Sequence, residues 1–357
     1  MIPVTKAYLP NKEKYQSYVD RIFESGWLTN NGNLLRELEQ RLAEYLGVKN
    51  IILVANGSLA LQLAYKALEL KGEVITTPFS FAATTSTLAW EGLTPIFADI
   101  DPASFNIDPD QIEAQITEKT SAIVPVHVFG NPCDVEAIQA IADKHNLKVI
   151  YDAAHAFGSE YKGQSVLNYG DISTLSFHAT KLFHTIEGGA VITNDDELAK
   201  KVRLLINFGI TSPTTIESVG TNAKMNEFEA AMGLCVLDEI DIIRQRRADI
   251  WQTYVEHLSG VFILQKWNKH GHNNHAYAPI LFDSEEQLLK TEAELKEHNI
   301  LPRRYFYPSL DTLSYLLSKQ VCTNSRDIAS RILCVPIFPD LNKEEQAEVI
   351  SILVCKH

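Results

Sequence analysis

The first two-thirds of the chain alternates short apolar runs with longer amphipathic ones. Residues 50–55 (NIILVA), apolar from Ile51 onward, read as a buried strand, and 58–70 (SLALQLAYKALEL) repeat apolar positions at helical spacing. Runs 73–78, 94–100 and 121–128 read as strands. Residues 134–146 read as a helix opening at Asp134, a good capping residue, and 148–152 (KVIYD) as the strand after it. Strand-like segments follow at 171–177 and 188–194. Strands that are apolar throughout need cover on both faces, so their alternation with helices predicts a mostly parallel sheet flanked by helices. In such sheets ligands gather at the carboxyl ends of the strands.

Beyond residue 195 the pattern turns helical, at 196–209 and then 226–258. The second run is too long for an ordinary globular helix without a bend, and it reads as a spine into a C-terminal lobe. That lobe carries a strand-like 276–282 and a helix-like 285–298. The expected architecture is α/β: a large domain over 1–240, including an N-terminal arm, and a smaller α+β domain over 241–357. The arm is expected to pack against the smaller lobe.

Composition narrows the function classes. The chain has 357 residues, 45% hydrophobic and 22% charged, as in ordinary globular proteins. No apolar run reaches the ~18–20 residues needed to cross a bilayer. The first residues, MIPVTKAYLPNKEKY, lack a secretory apolar core, so cytoplasmic residence is the simplest expectation. A net charge of −13 argues against nucleic-acid binding, while leaving room for a phosphorylated small ligand at a local anion site. The cysteines Cys133, Cys235, Cys322, Cys334 and Cys355 are scattered, suggesting neither a disulfide framework nor a zinc site.

Three local features carry candidate chemistry. Asp152 ends an apolar strand, with His155 just after it. Lys181 sits in a loop between two apolar strands. Gly57 and Ser58 open a helix directly after a strand, where free N–H groups and the helix dipole attract phosphate. Taken singly, each has a plainer reading as turn former, surface lysine or simple turn chemistry. Taken together, they supply what pyridoxal phosphate requires: an attachment lysine, a carboxylate that keeps the pyridine nitrogen protonated, and an anion site.

The chain resembles the sugar aminotransferase family named after DegT, DnrJ, EryC1 and StrS, nearly from end to end. The resemblance is carried by GWLTNNG (26–32), ANGSLAL (55–61), TPFSFAAT (77–84), PVHVFGNP (125–132) and YDAAHAFG (151–158). It continues through SFHATK (176–181), EGGA (187–190), GTNAKMNEFEAAMG (220–233), YFYPSL (305–310) and CVPIFPDL (334–341). It implies the aspartate aminotransferase fold (fold type I) and pyridoxal 5'-phosphate as cofactor. Lys181 then takes the place of the attachment lysine and, once released, of the general acid and base. Asp152 falls at the pyridine-nitrogen position and His155 near the cofactor's phenolic oxygen. Gly57, Ser58 and Ser176 match phosphate donors, and Phe81 matches an aromatic stacked on the ring, although a core aromatic is its plainer reading. Asn222 matches a residue that reaches the phosphate from a neighbouring subunit, which implies a homodimer with shared sites. His178 receives no role.

The resemblance further implies transamination from L-glutamate to a nucleotide-linked keto-sugar. The segment SFHATKLFHTIEGGA looks like enzymes that aminate C4 of dTDP-4-keto-6-deoxyglucose, giving dTDP-4-amino-4,6-dideoxyglucose. Amination at C3, or of a UDP- or GDP-linked 4-keto-sugar, is the alternative. A dehydratase on the same scaffold would replace the lysine with histidine or add cluster cysteines. A non-catalytic protein that kept the fold would be expected to lose Lys181 or Asp152, and both are present. No G-x-G-x-x-G follows the first strand, so hydride transfer is a poor alternative.

Overall fold

The computed structural model describes residues 1–316 and 320–355. Residues 317–319 and 356–357, all within the span assigned to the second domain, lie outside the described residues. Two helices open the chain, α1 (Lys12–Ser25) and α2 (Asn33–Leu46). Neither was picked out from the pattern, although Leu34, Leu38, Leu42 and Leu46 of α2 form a buried stripe at helical spacing. There follow β1 (Asn50–Val54), α3 (Gly57–Ala67), β2 (Glu73–Thr76), α4 (Ala83–Trp90), β3 (Thr94–Phe97), β4 (Thr120–Val124), α5 (Val135–His145) and β5 (Lys148–Asp152). Then come β6 (Ile172–Ser176), β7 (Gly189–Thr193) and α6 (Asp196–Leu205).

The strands form one seven-stranded sheet in the order β1-β7-β6-β5-β4-β2-β3. Only β7 runs against its neighbours, pairing antiparallel with both β1 and β6. The sheet is mostly parallel, as the alternation of strands and helices predicts. Its central strands are buried almost throughout; β7 is buried at all five positions. Helices cover both faces, so a half-polar strand would have no surface on which to place its polar residues.

The strands are shorter at their carboxyl ends than the apolar runs suggest. Residues 77–78 stay buried but leave the ladder, and beyond Val124 only an isolated parallel bridge between Val126 and Asp152 remains. The loop after residues 77–78 goes on to wall the cavity described below through Ser80, Phe81 and Ala83.

The run 226–258 does bend. It forms α7 (Glu227–Asp238) and α8 (Ile240–Leu258), broken at Glu239, whose backbone (φ −111°, ψ 8°) departs from helix. A second apolar core lies beyond the break and includes Ile250, Tyr254, Phe282, Leu288, Leu333 and Val349. It is built on α8, β8 (Pro279–Leu281), α9 (Glu285–Glu297), β9 (Ile332–Cys334) and α11 (Lys343–Val354), while Ile328 and Ala329 of α10 (Thr323–Arg331) pack in a separate cluster with Phe79, Phe129 and Phe306. Ile2 belongs to this core, and Ile2–Pro3 pairs in parallel with Ile300–Leu301. No helix among the described residues is long and apolar enough to cross a membrane.

Candidate active site

A cavity of about 590 Å³ opens at the carboxyl ends of the central strands. Its wall includes Gly57, Ser58, Phe81, Asp152, His155, Ser176 and Lys181, so seven of the eight residues singled out from the sequence meet there. Their convergence follows from topology: β5 and β6 are adjacent and parallel, with Asp152 opposite Thr174. The helix after β1 points its amino end at the same edge.

That amino end is shaped to receive an anion. Asn56 caps α3 by accepting from the Leu59 N–H at 2.9 Å, which leaves the N–H groups of Gly57 and Ser58 free among the described residues. The helix end lies tight against the sheet. A Cβ on Gly57 would sit 2.8 Å from the Ser176 Cβ, and one on Gly189 2.7 Å from the Asn56 carbonyl carbon. Two glycines therefore permit one close approach, and the approach leaves backbone N–H groups facing the cavity beside the Ser176 hydroxyl.

Asp152 is buried at the end of β5. It accepts from the Thr84 hydroxyl at 2.8 Å and the Ala154 N–H at 3.1 Å. Burial raises its pKa, opposed by those two hydrogen bonds and by the Lys181 charge. A buried carboxylate in this setting is stabilised by a cation placed beside it.

Lys181 lies in the loop joining β6 to β7. The loop is pinned at its base by Phe177 N–H to the Gly188 carbonyl and Thr185 N–H to the Phe177 carbonyl. The Lys181 amine donates to the Tyr277 hydroxyl at 3.2 Å. Burial lowers its pKa; Asp152 and Tyr305 oppose the shift, and the Arg303 charge adds to it. The result is an amine that gives up its proton more readily than a surface lysine, as a nucleophile requires.

His155 is buried, and burial pushes its pKa well below the usual histidine range. Its Nδ1 accepts from the Phe129 N–H at 3.3 Å, which assigns the proton of the neutral ring to Nε2. The ring stacks on Phe306 at 5.3 Å and meets Tyr277 edge-on at 4.8 Å. Phe81 is 53% exposed and lines the cavity, which removes the core-aromatic reading.

Asn222 stands apart. It is exposed, bridges to Asn207 and does not line this chain's cavity. His178 does line it, with Nδ1 held by Thr180 at 2.8 Å and Nε2 3.5 Å from Glu187. Sequence reasoning passed over Thr84, Tyr277, Arg303, Tyr305 and Phe306. The last two fall in the recognised YFYPSL segment, whereas Tyr277 and Arg303 belong to no motif that marks them out.

A model of the DegT/DnrJ/EryC1/StrS aminotransferase family matches residues 10–354. The dTDP-4-amino-4,6-dideoxy-D-glucose transaminase of Shigella dysenteriae is 45% identical over 355 residues, spanning 98% of this chain and 97% of its own. The Escherichia coli protein of the same name is 41% identical over 365 residues, spanning 99% and 98%. The crystal structure of DesI in the presence of its TDP-sugar product matches with a TM-score of 0.94 at 36% identity, covering 99% of this chain and 93% of that one. Matched by the family over nearly its whole length, and sharing its fold with a solved sugar aminotransferase structure, the chain belongs to the DegT/DnrJ/EryC1/StrS aminotransferase family.

Proposed function

We propose that the protein uses pyridoxal 5'-phosphate to move the amino group of L-glutamate to C4 of dTDP-4-dehydro-6-deoxy-D-glucose, giving dTDP-4-amino-4,6-dideoxy-D-glucose. The observation that carries the aminotransferase reading is the convergence of the Lys181 amine, the buried Asp152 carboxylate and the free N–H groups of Gly57 and Ser58 on one cavity. The choice of sugar nucleotide rests on the two transaminases above and on the SFHATKLFHTIEGGA loop.

The residues present fit the cofactor. The α3 amino end, with Ser176 beside it, suits a phosphate, and the Gly57 cradle is space that a Cβ would fill. Asp152 suits the ring nitrogen, and Phe81 offers an exposed aromatic face at the cavity wall. When bound, pyridoxal phosphate supplies an electron sink for the carbon next to the transferred nitrogen. Lys181 provides the attachment point and, as a free amine, holds or releases a proton at Nζ. His155 serves as a neutral donor through Nε2. Thr84 and the Ala154 N–H keep the Asp152 carboxylate oriented.

Asn222, outside the cavity of its own chain, is assigned to the site of a second copy, which makes the working unit a homodimer. Exposed Phe208, Ile210, Ile216 and Val219 lie close to it in the chain and offer apolar surface for that contact.

The test is to offer dTDP-, UDP- and GDP-linked 4-keto-6-deoxyhexoses with glutamate and to locate the new C–N bond by NMR. Preferred turnover of the dTDP-sugar with nitrogen on C4 is expected. Nitrogen on C3 would overturn the substrate assignment.

A further inference from the structure

We propose that Tyr277 receives the free amine of Lys181 during turnover, and that Arg247 is a positioning residue acting through Tyr277. This rests on the aminotransferase reading of the cavity.

Lys181 and Tyr277 come from different parts of the molecule: the loop after β6, and the extended segment leading into β8. The Lys181 Nζ donates to the Tyr277 hydroxyl at 3.2 Å and lies 5.8 Å from the centre of its ring. The ring is walled by Phe129 at 5.3 Å, His155 at 4.8 Å and Tyr305 at 5.5 Å, which leaves it little freedom to rotate away. Burial also raises the pKa of the hydroxyl, keeping it neutral. A neutral phenol oxygen that accepts an N–H leaves the amine's lone pair unused. Lys181 needs that lone pair whenever it is not attached to the cofactor, because the proton it moves must reside on Nζ between removal and return.

Arg247 explains how Tyr277 is held. It lies on α8 at 2% exposure, with no carboxylate partner among the described residues. Its Nη1 donates to the carbonyls of His275 at 3.3 Å and Ala276 at 3.2 Å, while its Nε has no partner. Burying a guanidinium without a counter-ion is costly, and an apolar side chain would fill the space without that cost. What the guanidinium adds is a grip on two successive carbonyls immediately before Tyr277. Asn274 completes the clamp: its Nδ2 donates to the carbonyls of His155 at 2.7 Å and Phe157 at 3.1 Å, and its Oδ1 accepts from the Ala276 N–H at 3.1 Å. The approach to Tyr277 is thus tied both to α8 and to the backbone that carries His155.

The test uses the holoenzyme and the variants Tyr277→Phe, Arg247→Gln and their combination. Tyr277→Phe is expected to lower kcat by about 10- to 100-fold while KM for glutamate and for the sugar nucleotide moves by no more than about three-fold. Arg247→Gln should lower kcat in the same way, and the double variant should be no slower than Tyr277→Phe, because Arg247 acts only through that ring. A second readout avoids turnover altogether. The pH at which apoenzyme half-maximally captures added pyridoxal phosphate should move in Tyr277→Phe and move the same way in Arg247→Gln. Wild-type kcat and capture in Tyr277→Phe overturn the Tyr277 role, and losses that multiply in the double variant overturn the link to Arg247. If Arg247→Gln does not fold, Arg247→Lys, which keeps one donor, is measured in its place. Failure of the wild-type protein to exchange nitrogen with glutamate would strike the aminotransferase reading instead, independently of these variants.

Discussion

Lys181 sits where burial and the Arg303 charge both favour its neutral form, while Asp152 opposes them. Removing Arg303 removes one of the two lowering influences, so Arg303→Gln should move the pH dependence of cofactor capture to higher pH. No change, or a move to lower pH, would show that the guanidinium does not act on the amine. Lys181→Ala should abolish cofactor attachment, read as loss of the bound cofactor's visible absorbance, and turnover near wild-type rates would sink the attachment role. Gly57→Ala presses a methyl group into the Ser176 side chain, and an overpacked contact of this kind typically costs about 1–3 kcal/mol. Cofactor affinity should then fall about ten-fold or more, measured by titrating apoenzyme. Lys181, Asp152 and Gly57 were legible in the sequence because each sits in a short motif whose chemistry is local. Thr84, Tyr277, Arg303 and Arg247 were not. Nothing in the sequence next to them tells that Thr84 meets Asp152 or that Tyr277 meets Lys181, since those partners are chosen by packing across the fold.

At the scale of elements, α2 depends on a residue far away in the chain. Its N-cap is Gly32, which has no side chain to bond the first-turn N–H groups. Glu227, in the first turn of α7, fills that role: its carboxylate accepts from the N–H groups of Leu34 and Leu35, both at 2.9 Å. Glu227 is buried, and a Cβ on Gly32 would collide with its carboxyl group at 2.3 Å. Glu227→Ala should therefore destabilise the protein by about 2 kcal/mol, because it leaves two N–H groups without partners. Urea unfolding measures this, and Glu227→Gln, which keeps one acceptor oxygen, should lose less. A destabilisation within about 0.5 kcal/mol of zero would show that water replaces the carboxylate. The GTNAKMNEFEAAMG motif, recognised only as a family signature, thus contains a structural contact that its spacing does not reveal. The break at Glu239 is different: its existence followed from helix length, while its position did not.

Across the whole molecule, several histidines are buried in the neutral state. Burial lowers His127 to about 3, and it also lowers His155 and His184. Below the ordinary histidine value of about 6.5 the unfolded chain binds protons that the folded one refuses, so stability must fall as pH falls through that value. For His127 alone the loss at pH 5 is about 2 kcal/mol. Unfolding midpoints should drop between pH 7 and pH 5. His127→Asn, which keeps an acceptor for the Cys133 N–H but does not titrate, should flatten the slope; an unchanged slope would place the acid sensitivity elsewhere. The alternation of strands and helices from residue 50 onward, the mostly parallel sheet and the cluster of Lys181, Asp152, Gly57 and Ser58 were determined by the sequence itself. Periodicity and short motifs act over a few residues and are written in the chain. Tertiary structure alone decided which lobe closes the cavity and which groups stand beside Lys181. Those choices depend on how two cores pack against each other, a property of contacts between segments that no single segment encodes.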